Sequence, residues 1–334
     1  MHTHRIWLQM QNQSGQHFLL SAKARTLSLA RVMRLSEDEA WEAFKAIRWA
    51  STAGEPICPR CRCLTIYRLN DNRRFKCAAC GHKFSVTSGT IFASRKMPIR
   101  DYLAAIAIFV NGAKGHSALQ LSRDLDCQYK SAFVLTHKMR EALAAEQLAV
   151  GEVAGSVEVD GAYFGGYLKP ANRREDRKDR RRKIYQTGKR EVVVVMRERD
   201  GRTLPFVATT EAAGVDRVAA SVAPGSTIYA DEADHWNRLE ARFLTKRINH
   251  GVAYSTAEAN TNQAESFFSR IRRAEIGIHH HIAGPYLAAY AAEMGWREDR
   301  RRVSNGEQFL AATGAALAHP VSRQWKGYWQ RSAA

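Results

Sequence analysis

Two Cys-x-x-Cys knuckles constrain this chain more tightly than any other feature in it. Cys58-Pro59-Arg60-Cys61 and Cys77-Ala78-Ala79-Cys80 are separated by fifteen residues. Four thiolates at this spacing supply a closed tetrahedral site for one structural Zn²⁺, with no open coordination position. Between the knuckles, Thr65–Leu69 and Arg74–Lys76 read as hairpin strands joined by Asn70-Asp71-Asn72, and Phe84–Phe92 adds a further strand and turn. A redox reading of the paired cysteines needs a thioredoxin-like βαβ context, which is absent. Cys63 follows a complete knuckle and reads as a bystander. His82 could replace a ligand only if one cysteine faced away, and Cys127 reads as a buried thiol.

Composition narrows the setting. At 334 residues the chain exceeds one ordinary domain. No stretch approaches the ~20 apolar residues of a membrane span, and the N-terminus lacks the apolar core of a signal peptide. A cytoplasmic protein is expected, which disfavours disulfides. Formal charge is +18, and its distribution is uneven. Residues 1–150 carry 22 basic and 11 acidic side chains, Ala171–Arg190 carries 10 and 3, and the remainder balances. Two concentrated basic segments point to a polyanionic partner.

The first 30 residues show no clear period. Ser36-Glu37-Asp38-Glu39 then opens a helix with a capping-box pattern, and Ala40, Trp41, Phe44 and Ile47 share one face. Pro98 begins a helix over Ile99–Val110. Ser117–Leu125 and Tyr129–Arg140, around a break at Asp126-Cys127-Gln128, fit a helix-turn-helix. Its second helix is rich in basic and polar residues, so Lys130, Lys138 and Arg140 are candidate DNA contacts; a basic helical bundle is the alternative. Arg180, Arg181 and Arg182 belong to a basic loop without apolar residues before Ile184.

Three carboxylates organise the second half. Asp160 lies in the alternating strand Val157–Phe164, followed by Gly165-Gly166. Asp231 ends the apolar run Ser226–Ala230, and a helix-start signal follows it. Glu265 lies in Asn260–Ser269, an expected N-capped helix with Phe267, Phe268 and Ile271 inward. The neighbouring acids Glu158, Glu232 and Asp234 are expected to be bystanders, Glu158 facing away from Asp160 across the strand. Further strands are expected at Glu191–Met196, Thr203–Ala208 and within Arg242–Tyr254, with a helix at Ala212–Val222. The order β-β-β-α-β-α-β-α, with acids on the first and fourth strands and the last helix, matches a ribonuclease-H-like fold of the retroviral integrase type. Three such acids can hold a pair of divalent cations about 3.5–4 Å apart, suited to phosphodiester displacement. Strand ends and helix caps also collect acids for purely structural reasons.

Taken together, these segments resemble bacterial DDE transposases of the insertion-sequence 1595 group. The likeness rests on Phe84–Phe92, Lys114–Arg140, Val157–Gly166, and Asn260–Ser269 with Gly277, His279 and His280, over about residues 40 to 302. The resemblance implies that Asp160, Asp231 and Glu265 are the catalytic acids. It also implies two Mg²⁺ or Mn²⁺ ions, which prefer oxygen ligands. Water would attack a phosphodiester at the end of a mobile element, and the freed 3′-hydroxyl would attack target DNA. The partners implied are double-stranded DNA, as terminal inverted repeats and target, and further copies of the chain assembled on it at the bacterial nucleoid. The family's Lys seven positions after the third acid is Arg272 here, which clamps phosphate as a planar fork, so its role is open. His279, His280 and His281 receive no catalytic role.

The expected organisation is multidomain α/β: a helical segment at 1–54, a zinc ribbon at 55–95 and a helix-turn-helix region at 96–150. A ribonuclease-H-like catalytic domain follows at 151–302, with a tail at 303–334. Two other readings fit the same residues: a DNA-binding regulator with an inactive transposase-derived domain, and a stand-alone nuclease of the same fold.

Overall fold

The computed structural model describes residues 17–69, 73–165, 173–178, 190–199, 201–248 and 261–331. Arg180, Arg181, Arg182, the Asn70–Asn72 turn, Gly166 and Asn260 therefore lie outside the described residues. The N-terminal half begins with two helices, α1 (Leu29–Arg34) and α2 (Glu37–Arg48). Both arms of the Ser36/Glu39 capping box form at the start of α2. Next come three short antiparallel strands in sequential order: β1 (Ile66–Arg68), β2 (Arg74–Cys77) and β3 (Lys83–Ser85). A ribbon this small cannot enclose its own core. It shares one with α2: Trp41 and Trp49 each lie 5.7 Å from Phe75, and Phe44 lies 5.6 Å from Phe92.

Helices α3 (Ile99–Asn111), α4 (Ala118–Asp124) and α5 (Tyr129–Ala149) continue the same core. The second helix of the expected helix-turn-helix is 21 residues long. It buries Leu135, Thr136, His137, Met139, Arg140 and Leu143.

The C-terminal half is built on a five-stranded sheet. Its strands are β4 (Ser156–Gly165), β5 (Arg190–Glu198), β6 (Thr203–Ala208), β7 (Thr227–Asp231) and β8 (Leu244–Ile248), with α6 (Glu211–Ser221) between β6 and β7. Spatial order is β6-β5-β4-β7-β8. The first three are antiparallel, whereas β7 runs parallel to β4 and β8 parallel to β7. The fifth strand begins within the expected Arg242–Tyr254 span, and residues after Ile248 in that span lie outside the described residues.

Alternation makes the sheet two-sided. Val157, Val159, Val194 and Met196 pack with Val215 and Val218 of α6. Phe164, Val193 and Val195 face α7 (Asn262–Ala274) and α8 (Gly284–Asp299). Helix α8 lies close against β6: a Cβ on Gly295 would come 2.9 Å from the Thr203 carbonyl oxygen.

The expected tail at 303–334 is corrected. Residues Asn305–Ala318 form helix α9, opened by a Ser304/Glu307 capping box. Phe309, Ala312, Ala316 and Leu317 join the N-terminal core. Small apolar residues give this helix little contrast in sequence, and its partners are more than 150 residues upstream. Asn305 fastens the joint, its Oδ1 accepting from the backbone of Thr26 at 2.9 Å and Leu27 at 2.8 Å.

Arg140 is a second correction. Expected at a DNA surface, it is 1% exposed, and its Nε donates to Glu293 of α8 at 2.6 Å. Arg297, one turn along α8, donates to Glu293 at 2.8 Å and to the Phe109 carbonyl at 2.6 Å. This buried network ties α3 and α5 to the helix that covers the sheet. Burial alone would raise the Glu293 carboxyl, but Arg140 and Arg297 outweigh it and hold it at about 2. Its depressed value contributes stability above the unfolded carboxylate range, lost as pH falls through about 2. Glu293→Gln leaves two buried guanidiniums without their anion. It is expected to cost about 3–5 kcal/mol, read as a lowered midpoint in urea unfolding.

Candidate active site and zinc centre

The four knuckle cysteines converge: the Sγ atoms of Cys58, Cys61, Cys77 and Cys80 lie within 4.8 Å of one another. Cys58 to Cys80 is 3.7 Å and Cys61 to Cys77 is 3.5 Å. Two Zn–S bonds of about 2.3 Å at a tetrahedral angle place sulfurs about 3.8 Å apart, so the donor set fits Zn²⁺. Each knuckle is closed by a backbone bond, Cys58 N–H to the Cys63 carbonyl and Cys77 N–H to the His82 carbonyl. Cys63 and His82 are not in the sulfur cluster; His82 instead stacks on Phe84. Cys127 is half-buried, and burial pushes its thiol up.

The acids are brought together by strand order. β4 and β7 are adjacent and parallel, with Ser156 opposite Thr227 and Glu158 opposite Tyr229. The pairing ends there, and Asp160 and Asp231 each follow two residues further along their strands. Both acids face the side covered by α7, because residues two apart in a strand share a face. Glu265 stands in the first turn of α7. Asp231 is held by an Asx-type bond, its Oδ1 accepting from Ala233 N–H at 3.2 Å.

Electrostatics register the convergence. Burial, reinforced by Asp231, Glu211 and Glu265, pushes Asp160 up to about 7, against the hydrogen bond it accepts from Gly161 N–H at 2.7 Å. Glu211 was not singled out in the sequence. It opens α6 and packs against the strand beside Asp160, where a Cβ on Gly161 would lie 2.5 Å from its Cγ. Burial and then Asp231 push it up to about 7, and His235 Nε2 lies 3.3 Å from its Oε2. No sequence signal marks this glutamate, since α6 touches the site through the fold alone.

All-oxygen donors that raise one another's pKa suit a hard divalent cation. Among the described residues, only the four cysteines bring three or more ligand atoms within 4.8 Å of one another; Asp160, Asp231 and Glu265 do not form such a group. A raised acid contributes stability that is complete below its unfolded value and lost as pH rises through its folded value. For Asp160 and Glu211 that window ends near pH 7. Mg²⁺ is therefore expected to raise the melting temperature more at about pH 8 than at about pH 5, as thermal denaturation will show.

The other expected residues divide. Glu158 does not face away from Asp160, and that expectation is overturned: two residues apart, the pair shares one face. Glu158 is fully buried, accepting from the backbone N–H of Gln263 at 2.8 Å and Ala264 at 3.1 Å. The expected N-cap of α7 is thus supplied by β4, while Thr261 makes no side-chain capping bond. Glu232 and Asp234 are exposed. Arg272 is exposed, with its guanidinium 5.9 Å from the Phe164 ring of β4, and stands seven residues after Glu265 on α7. Lys130 is exposed over Trp329, whereas Lys138 is half-buried in the groove between α5 and the C-terminal segment. Burial lowers the Lys138 ammonium. His279 packs on Tyr290, and burial lowers it to about 4.

A four-cysteine ribbon followed by a mixed α/β domain with acids on its sheet is the arrangement expected of a DNA-transposition protein. Comparison with known families agrees: residues 35–83 match the transposase zinc-ribbon domain and residues 152–299 the ISXO2-like transposase domain. The two matches take in more than half of the chain, which belongs to the insertion-sequence 1595 transposase family. A curated relative from Halobacterium salinarum, an uncharacterized protein in transposable element ISH50, is 25% identical over 272 residues, covering 77% of this chain and 90% of its own length. No solved structure matches the chain. Among the described residues, no helix is long and apolar enough to cross a membrane.

Proposed function

We propose that this protein is an active transposase that cuts DNA at the ends of its element and joins them to target DNA. What supports this reading is that Asp160 and Asp231 follow the paired residues Glu158 and Tyr229 by two positions on adjacent parallel strands, with Glu265 in the first turn of the helix packed on β4 and β5. The strand order, with three antiparallel strands followed by two parallel ones, supports a ribonuclease-H-like catalytic domain. Bound among these acids, two Mg²⁺ or Mn²⁺ ions would supply Lewis-acid stabilisation to the attacking and leaving oxygens of a phosphodiester.

The chain's own residues do the rest. Asp160 and Asp231 supply carboxylates from the rigid sheet, and Glu265 from α7. The sheet holds two of these groups at fixed separation, so little reorganisation is needed when DNA arrives. Arg272, directed along the same helix as Glu265, is placed to grip a phosphate. Lys130 and Lys138 are assigned to DNA recognition, and Arg180, Arg181 and Arg182 to the phosphate backbone. Each neutralised phosphate contributes a slope of about −0.9 to the salt dependence of binding. Replacing the three arginines with Ala should weaken binding to all sequences alike and flatten that slope, whereas Lys130→Ala should reduce the preference for element ends. Fluorescence anisotropy across a salt series measures both, and equal loss on every DNA would refute this division.

A strand-transfer assay with DNA carrying the element's ends tests the function itself. Joined products in Mg²⁺ or Mn²⁺, absent in EDTA, are expected. Cleavage without joining would indicate a nuclease, and binding without cleavage a regulator.

A further inference from the structure

Beneath the acids lies a second set of residues, each two positions before an acid in sequence. Glu158 precedes Asp160 on β4, Tyr229 precedes Asp231 on β7, and Gln263 precedes Glu265 on α7. Glu158 and Tyr229 are direct partners in the strand register. Glu158 accepts the first-turn N–H groups of Gln263 and Ala264 through Oε2, and its Oε1 accepts from Arg199 Nε at 3.1 Å. The Arg199 guanidinium lies 3.6 Å over the Tyr229 ring. Gln263 in turn donates through Nε2 to the Arg199 carbonyl at 2.8 Å and accepts from Arg197 at 3.2 Å. One buried carboxylate thus bonds to α7 and to Arg199, whose guanidinium in turn covers the Tyr229 ring of β7.

A fully buried carboxylate is costly unless paired and hydrogen-bonded. This one is compensated by a guanidinium and by two N–H groups at the positive end of a helix. Its geometry is correspondingly restrictive. A shift of α7 along its axis would break both backbone bonds at once, and Glu265 lies only one residue beyond Ala264.

We propose that Glu158 is a positioning residue: it sets the height of α7 over the sheet, and with it the position of Glu265 relative to Asp160 and Asp231. This inference rests on the transposase reading of the three acids. Outer partners of metal-binding groups commonly change metal affinity by about 10–100-fold when removed. The Glu158→Gln amide keeps the shape but loses the charge that holds two N–H donors and Arg199.

The test uses the full-length, zinc-loaded protein and Mn²⁺ as probe. Mn²⁺ binding is measured by electron paramagnetic resonance, and cleavage is titrated with Mn²⁺ on end-containing DNA. Glu158→Gln is expected to weaken Mn²⁺ binding about tenfold or more. Its cleavage should recover toward wild type as Mn²⁺ is raised, with DNA affinity unchanged. Glu158→Asp, which keeps the charge on a shorter arm, should fall between the two and decides the matter should the amide variant not fold. Glu293→Gln is the reference for general destabilisation and should leave Mn²⁺ binding as in wild type. Wild-type Mn²⁺ affinity in both Glu158 variants, with binding lost in Asp160→Asn, overturns the positioning role alone. Unchanged Mn²⁺ binding in Asp160→Asn overturns the reading of the acids beneath it.

Discussion

Asp160→Asn, Asp231→Asn and Glu265→Gln are each expected to lower DNA cleavage and joining by ~10³-fold or more, while folding and binding to element ends persist. Each swap preserves shape and removes one negative charge from a set of groups that act together. Losing one donor removes the stabilisation of attacking and leaving oxygens at the same time, so the losses should not add in double variants. Folding should survive because Asp160 is held at about 7 by burial and by its acidic neighbours. A neutral amide there relieves repulsion, and metal-free Asp160→Asn should melt no lower than wild type. Glu232→Gln and Asp234→Asn, exposed and outside the cluster, serve as controls that keep activity. Glu158 is unsuited as a control, since it caps the helix of Glu265. Gel-based cleavage and strand-transfer assays in Mg²⁺ and Mn²⁺ measure the effect. Full strand transfer by Glu265→Gln, with loss in Glu232→Gln, would remove Glu265 from the acid set.

Removing zinc should have the second large effect, on folding. The purified chain is expected to hold about one Zn²⁺, and Cys77→Ser to abolish it. Structural zinc in comparable small sites contributes an apparent ~10–16 kcal/mol, so the ribbon cannot persist without it. The damage should spread beyond the ribbon. Phe75, Cys77 and Phe84 share one core with Trp41, Phe44 and Trp49 of the preceding helical segment and with Leu103 and Ile106 of α3. Valines and aromatics of the β4–β5 sheet belong to separate clusters and should keep their packing. Near-ultraviolet circular dichroism and hydrogen exchange should show the N-terminal half loosening and the acid-bearing sheet protected. Elemental analysis that finds a folded, DNA-binding chain without zinc would refute this.

These expectations come from different depths of the molecule. The cysteine knuckles are short-range features, because ligands three residues apart and two strands between them dictate convergence with little help from the rest. The acids were also legible individually, as strand ends and a helix turn with their own alternation and period. Their approach could be expected only by way of the ribonuclease-H-like strand order, since it depends on β7 adding beside β4 rather than at a sheet edge, across 71 residues of chain.

Charged residues were where sequence reasoning failed, for one physical reason. A lysine, arginine or glutamate defaults to solvent unless a partner from elsewhere compensates its burial, and such partners are invisible locally. Arg140 looked like a DNA contact and is buried against Glu293, 153 residues away. Strand alternation alone sets Glu158 on the face of Asp160, but its hold on the helix of Glu265, 105 residues away, has no local signal. Glu211 carried no local signal, yet it packs on Gly161 beside Asp160. Helix α9 passed for a tail because alanine-rich faces become a core only where another surface fits them. The sequence by itself determined the zinc ligands, the strands and helices bearing the acids, and the family; tertiary structure alone decided which charged residues are buried and which partners compensate them.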